Sequence, residues 1–140
     1  MTLLVVHLAL TAAYAGLQWT VRALVYPQFA LVPPAAFPAY ERRHAQRITR
    51  VVGPLFAGQG VTTLWLLADR PAGTPLAAVL VGAACLAVVL AATGLGAVPQ
   101  HRRLTAAWDG AAYRRLLRVD TVRVVAATAG TAAALWTLLG

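Results

Sequence analysis

Apolar residues in this chain gather into four long runs, from about Thr2 to Val25, Thr49 to Ala68, Leu76 to Val98 and Val119 to Leu139. Each approaches the roughly 20 residues that an α-helix needs to cross the hydrocarbon of a bilayer. Tyr26-Pro27 closes the first run, because proline lacks a backbone donor and restrains the residue before it. Asp69-Arg70-Pro71-Ala72-Gly73-Thr74-Pro75 reads as a tight turn between the second and third, and Pro99 closes the third. The pattern predicts one all-α domain over residues 1–140, an integral membrane four-helix bundle. Leu3 to Ala15 resembles a signal-peptide core with a small-residue site at Ala13-Tyr14-Ala15. No basic residue precedes it and the apolar run continues to Val25, so a retained helix is expected.

The segments between the runs carry the charge. Tyr26 to Ile48 holds Arg42, Arg43 and Arg47, flanked by Arg22 and Arg50. Pro99 to Arg118 holds Arg102, Arg103, Arg114, Arg115 and Arg118, whereas the middle turn has Arg70 beside Asp69. The positive-inside rule then sets both long loops on the cytoplasmic side of the inner (plasma) membrane, with both termini outside. Trp65 and Trp136 fall at the outer helix ends and Trp19 and Trp108 near the inner side, as an aromatic belt would have them. Ala35 to Arg47 and Leu104 to Arg118 read as two short interfacial helices with apolar and basic faces. A weak internal repeat pairs Pro27-Gln28 with Pro99-Gln100, Tyr40 with Tyr113, Arg42 with Arg115 and Arg50 with Arg123. It would relate the two halves as parallel repeats about an axis along the membrane normal.

Composition agrees. Hydrophobic residues make up 60% of the chain and charged residues 11%, against about 25% charged in soluble domains. A soluble fold needs a charged shell that this chain cannot build. The net charge of +8 comes entirely from arginine, with no lysine. These charges flank apolar spans and no recognition motif accompanies them, so a nucleic-acid partner is not expected. The partners expected are membrane lipid and a hydrophobic small molecule, and homo-oligomer formation is left open. The single cysteine, Cys85, lies among small apolar residues and reads as a helix-packing residue without the cationic neighbours a reactive thiol wants.

Polar residues inside a span are costly, so their positions carry information. His7, Thr11, Tyr14, Gln18 and Arg22 are spaced by four, three, four and four residues. At 3.6 residues per turn they share one face of the first helix. Gln59 and Thr63 share a face of the second helix, and Asp120 and Arg123, three apart, can pair on the fourth. Gly53, Gly58 and Gly60 permit close helix approach. One reading is interhelical hydrogen-bond glue. The other is a ligand site lined by Tyr14, Gln18 and Gln59, with Arg22, Arg50, Asp120 and Arg123 at a wet cytoplasmic mouth. Guanidinium groups keep their charge, so such a mouth suits a carboxylate, phosphate or phenolate.

His44 and His101 lie in the two basic loops on one side, where either could act as a general base. His44 is favoured because its helix can be held by packing through Phe37 and Tyr40. The bland alternative is a solvated interfacial imidazole. His7 lies near the other end. No HxxxH, CxxC or CxxCH spacing exists, and no GxSxG or phosphate-binding glycine loop. No metal and no cofactor are expected; a haem held axially by two histidines is the remaining cofactor alternative.

Several short motifs combine in one layout: Tyr26-Pro27, Phe37-Pro38-Ala39-Tyr40-Glu41-Arg42-Arg43-His44, Val52-Gly53-Pro54 and Val98-Pro99-Gln100-His101-Arg102-Arg103-Leu104. This resembles a set of small bacterial four-helix membrane proteins similar in layout to the anthrone-oxygenase-like family. The resemblance implies an oxidoreductase that acts on polycyclic phenolic anthrones with molecular oxygen and no evident cofactor. It also implies a histidine base, which falls on His44 or His101. Two function classes follow. One is an enzyme on a hydrophobic, weakly acidic phenolic, polyketide-like or quinone-like molecule, either a cofactor-independent oxygenase or a proton-transfer enzyme. The other is a non-catalytic bundle that binds a lipid or quinone or serves as a subunit of a membrane complex.

Overall fold

The structure, a computed structural model, describes residues 1–140. Four helices account for nearly all of it: α1 (Thr2–Phe29), α2 (Phe37–Ala68), α3 (Leu76–Ala106) and α4 (Gly110–Leu139). There are no strands. All four are long and apolar enough to cross a membrane, so the fold is an all-α bundle compatible with a multi-pass membrane protein. At 1.5 Å per residue helices of 28 to 32 residues are about 42–48 Å long, against a hydrocarbon core of about 30 Å. The helices therefore outrun the apolar runs, and the surplus lies mostly at the Arg-rich end.

That surplus is where the structure differs from the sequence pattern. Ala35 to Arg47 is helical from Phe37 onward, but it is the first part of α2 and not a separate helix. No proline lies between Pro38 and Pro54, so the backbone ladder runs unbroken through Arg47, and Pro38 sits in the first turn, where no N–H is needed. Leu104 to Arg118 is divided at Ala107–Asp109, its first part ending α3 and its second opening α4. Asp109 is the N-cap of α4; its carboxylate accepts from the backbone N–H of Ala111 (2.8 Å) and Ala112 (3.1 Å).

Prolines at positions 27 and 99 do not end their helices. Each is preceded by a π-helical turn, Val21–Val25 in α1 and Ala92–Ala97 in α3, after which the α-helix resumes with the proline at its second residue. The wider i→i+5 turn makes room for a ring that would otherwise meet the carbonyl one turn back. It also resets register. The buried face of α1 runs through His7, Thr11, Tyr14 and Gln18, then Val21 and, five residues on, Tyr26. Arg22, which follows the 3.6-residue spacing in sequence, is only half-buried.

The core has three parts. At the Arg-rich end, Val21, Tyr26, Phe29, Phe37, Ala97, Leu104, Ala112 and Leu116 form a cluster that closes the bundle. Phe37 is its hub, with ring centroids 5.4 Å from Phe29 and 4.7 Å from Trp108. Trp108 thus packs inward, whereas Trp19, Trp65 and Trp136 remain about half exposed. Tyr14, Ala15, Val89, Ala126 and Ala127 pack the middle, and Leu4, Leu66 and Val79 the far end. α4 presents a seam of small residues, Ala126, Ala127, Gly130, Ala133 and Ala134, to α1 and α3. Close backbone approach of this kind replaces the hydrophobic driving force that lipid removes. A Cβ on Gly130 would lie 3.3 Å from the Cβ of Cys85, so the cysteine is a helix-packing residue. α1 and α3 both pack extensively on α4, while the α2–α3 seam is thinner.

Two outcomes follow from the packing. A Cβ on Gly96 would lie 2.7 Å and 2.9 Å from the two γ-carbons of Val119, a side chain with little rotamer freedom. Gly96→Ala is expected to destabilise by about 1–3 kcal/mol, while Gly94→Ala, with nothing within 4 Å, is not. Thermal unfolding in detergent separates the two. The backbone donors of Ala112 and Ala111 hold the Asp109 carboxyl below the usual carboxylate range. Its contribution is therefore present above that range and is lost as pH falls through the lowered value. Asp109→Ala should fray the start of α4 at neutral pH by hydrogen exchange, and Asp109→Asn, which keeps the cap, should not.

Candidate functional site

The buried polar face of α1 meets different partners at different depths. Far from the arginines, His7 Nδ1 shares a hydrogen bond with Thr62 Oγ1 (2.8 Å), and Thr11 bonds back to the His7 carbonyl. Gln59, Thr63, Thr11 and Tyr14 surround a void of about 10 Å³ there, the size of a single water. This end of the stripe is helix-packing glue with no room for a ligand.

The Arg-rich half is different. A cavity of about 410 Å³ opens there, within the ~300–1,000 Å³ typical of small-molecule sites. Leu17, Val21, Ile48, Val52, Phe56 and Val98 give it apolar walls. Gln18, Tyr26, His101 and Arg123 are the polar groups that reach it from within the bundle, and Arg102, Thr49, Thr93 and Thr105 also line it.

One wall carries a carboxylate–imidazole–phenol array. Glu41, on the first turns of α2, has no exposure, and its Oε1 lies 2.5 Å from His101 Nδ1. With Nδ1–H donating to the carboxylate, Nε2 holds the lone pair and accepts from the Tyr26 hydroxyl at 3.2 Å. The π turns position both partners. Val21–Val25 turns Tyr26 onto the buried face, and Ala92–Ala97 precedes the turn that carries His101. Tyr113 fixes the Tyr26 backbone by donating to its carbonyl (3.0 Å). The Glu41–His101 bond is the one side-chain hydrogen bond that joins α2 to α3.

A second part of the lining is built on a buried ion pair. Asp120 has no exposure; its Oδ1 accepts from Gln18 Nε2 and from Arg123 NH1 (3.4 Å). Arg123 NH2 donates to the Tyr14 hydroxyl (3.3 Å), which donates in turn to Gln18 Oε1 (3.0 Å). Asp120 lies behind this network and Arg123 faces the cavity. Arg123 Nε and Asp120 Oδ2 are buried without partners, so the guanidinium keeps an unspent donor.

The residues singled out by sequence thus divide. Gln18, Arg123 and His101 line one cavity, with Tyr14 and Asp120 bonded behind it. Gln59 belongs to the separate void, and its amide bonds within its own helix (3.4 Å to the Leu55 carbonyl). Arg22 is turned off the lining by the π turn, and Arg50 is exposed on α2. A mouth of three arginines does not form. His44, the histidine favoured from sequence, stands one layer back, 5.9 Å from His101 in a stacked arrangement and edge-on to Phe29 at 5.1 Å. Its Nε2 is buried without a partner. No group of three or more metal-ligating side chains assembles. Sequence reasoning passed over Glu41, Tyr26, Arg102 and Tyr113. A signal for the first existed: Glu41 is the only glutamate in a chain with four acidic residues, and it sits three residues before His44 on a helix.

Removing Asp120 tests the second wall. Asp120→Ala leaves a buried guanidinium uncompensated and should cost about 3–5 kcal/mol, read as a lower thermal midpoint in detergent. Asp120→Asn keeps an acceptor for Gln18 and should cost less. No family model, no curated protein and no solved structure matches this chain.

Proposed function

We propose that this chain is a membrane enzyme that removes a proton from a hydrophobic, weakly acidic small molecule of phenolic or quinone-like type, with His101 as the base. The observation that carries this reading is the Glu41–His101–Tyr26 array on a cavity that Arg123 also lines. Glu41 orients the ring and fixes its tautomer, as a carboxylate does beside a catalytic histidine. His101 Nε2 takes the proton directly or through the Tyr26 hydroxyl. Arg123 holds the oxyanion that develops, in surroundings where water does not compete. The apolar walls supply the affinity for rings.

The resemblance to anthrone-oxygenase-like proteins extends the reading to a reaction with molecular oxygen. A ring methylene next to the phenolic carbonyl system loses its proton, and the resulting anion is oxidised by O₂. One oxygen atom ends as the new carbonyl, and the other leaves as water with the two methylene hydrogens. The competing reading is a binding bundle without turnover. The mutual bonding of Tyr14, Gln18, Asp120 and Arg123 favours it, because those groups serve as interhelical glue. On either reading the Arg-rich loops face the cytoplasm and both termini face outward across the plasma membrane.

With a dihydroxyanthrone as probe, His101→Ala is expected to lower kcat by about 10²–10⁴-fold while binding survives. His44→Ala should change kcat by less than about tenfold, since its ring touches His101 and not the cavity. Unchanged turnover in His101→Ala would sink the enzymatic reading. For topology, cysteines at Gly73 and Gly110 should label from opposite sides of intact cells, 73 from outside. Labelling of 110 from outside, with 73 protected, would invert the orientation.

A further inference from the structure

Deepening this reading, we propose that the cavity is filled sideways from the membrane, through a window between α2 and α3, by an amphiphile already dissolved in the leaflet on the Arg-rich side. Its polar hydroxyl points to His101 and Arg123, and its apolar body stays toward the lipid.

The lining has two depths. The back wall, Gln18, Val21, Tyr26 and Arg123, comes from α1 and α4 and is buried. The remaining lining residues are Leu17 and two stretches, Ala45 to Phe56 on α2 and Thr93 to Thr105 on α3. Among these, Thr49, Gly53, Val98 and Arg102 are exposed. The open side of the cavity is therefore the α2–α3 seam and not the end of the bundle, which the Phe29–Phe37–Trp108 cluster closes.

The seam is shut at both ends and open between them. Leu66 on α2 and Val79 on α3 share the core cluster at the far end. Glu41 and His101 bond at the near end. Between these contacts each helix departs from regular α geometry. α2 has Gly53-Pro54 inside it, where proline removes a ladder bond. α3 has the π turn Ala92–Ala97. Gly53 lines the cavity, and a Cβ built on it meets nothing within 4 Å.

The window opens onto the side of helices that are long and apolar enough to span a membrane. Its edges are apolar (Ile48, Val52, Val98), with Thr49, Thr105 and Arg102 toward the Arg-rich end. An amphiphile lying in that leaflet meets the arrangement with matching polarity along its length.

The test uses full-length protein in lipid nanodiscs or vesicles and the fluorescence of a dihydroxyanthrone probe. Occupancy should follow the mole fraction of probe in the membrane and stay constant when vesicles are diluted at a fixed probe-to-lipid ratio. Occupancy that instead follows the aqueous concentration overturns the lateral route. Gly53→Trp fills the window and should weaken binding or slow association at least tenfold. Gly60→Trp, also open around its Cβ and off the cavity, serves as the folding control and should bind as wild type. Equal binding by both variants overturns the window, as does failure of the wild type to bind the probe. A phospholipid retained by the wild type, lost from Gly53→Trp and not displaced by the probe would overturn the assignment of a phenolic amphiphile as occupant. Turnover that survives His101→Ala would remove the enzymatic reading and leave the window standing, so the two failures are distinguishable.

Discussion

Asp120 holds the bundle's interior in place. It is a carboxylate with no exposure, in a chain that has only four acidic residues, on a helix long and apolar enough to lie in lipid. In that setting it must find donors inside the protein. Gln18 on α1 and Arg123 on its own helix provide them, and Tyr14 closes the ring by bonding both. These bonds fix the depth at which α1 lies against α4. The small residues above, from Ala126 to Ala134, then let the two backbones meet. Every feature of the cavity is measured from that contact, because Gln18 and Arg123 belong both to the network and to the lining.

Two kinds of arginine emerge. Most remain at the Arg-rich end, where they set charge asymmetry and touch little. Arg123 is 6% exposed and paired. A buried pair is weak evidence for stability by itself, since desolvation consumes much of the attraction. Its geometry here is single-stranded and long at 3.4 Å, with one atom of each partner unbonded. Arg123 lines the 410 Å³ cavity, which puts a permanent positive charge beside the space an anion would enter.

How much of this is legible in the sequence depends on which physical signal each feature leaves. The four spans are legible because apolar runs of membrane length, in a chain too poor in charge to cover them, can be buried only in a bilayer. The Asp120–Arg123 pair follows from helical spacing, and so does the burial of Tyr14 and Gln18. The stripe fails at Arg22 because one surplus residue in the π turn at Val21–Val25 shifts the register, and no periodicity argument anticipates an inserted residue. The same proline steps that resemble helix ends in the sequence are what those π turns accommodate. Glu41 is hidden for another reason. Its segment has the pattern of a separate interfacial helix, where a glutamate would be solvated. Fused to α2 and packed against α3, it is buried and aimed at His101. The histidine choice turns on the same point: His44 does pack on the aromatic cluster through Phe29, and that packing keeps it one ring away from the cavity.

The Glu41–His101 bond has two duties that cannot be separated. It sets the tautomer of the imidazole, and it is the only side-chain hydrogen bond between α2 and α3. Parting α2 from α3 at that end therefore breaks the contact that leaves Nε2 as the unprotonated ring nitrogen. The reverse also holds by reciprocity of coupled equilibria: whatever strengthens the carboxylate–imidazole contact draws the two helices together by the same free energy. A molecule that engages His101 in the protonated form thus helps to close the protein around itself, and with the seam parted the site lacks an oriented base.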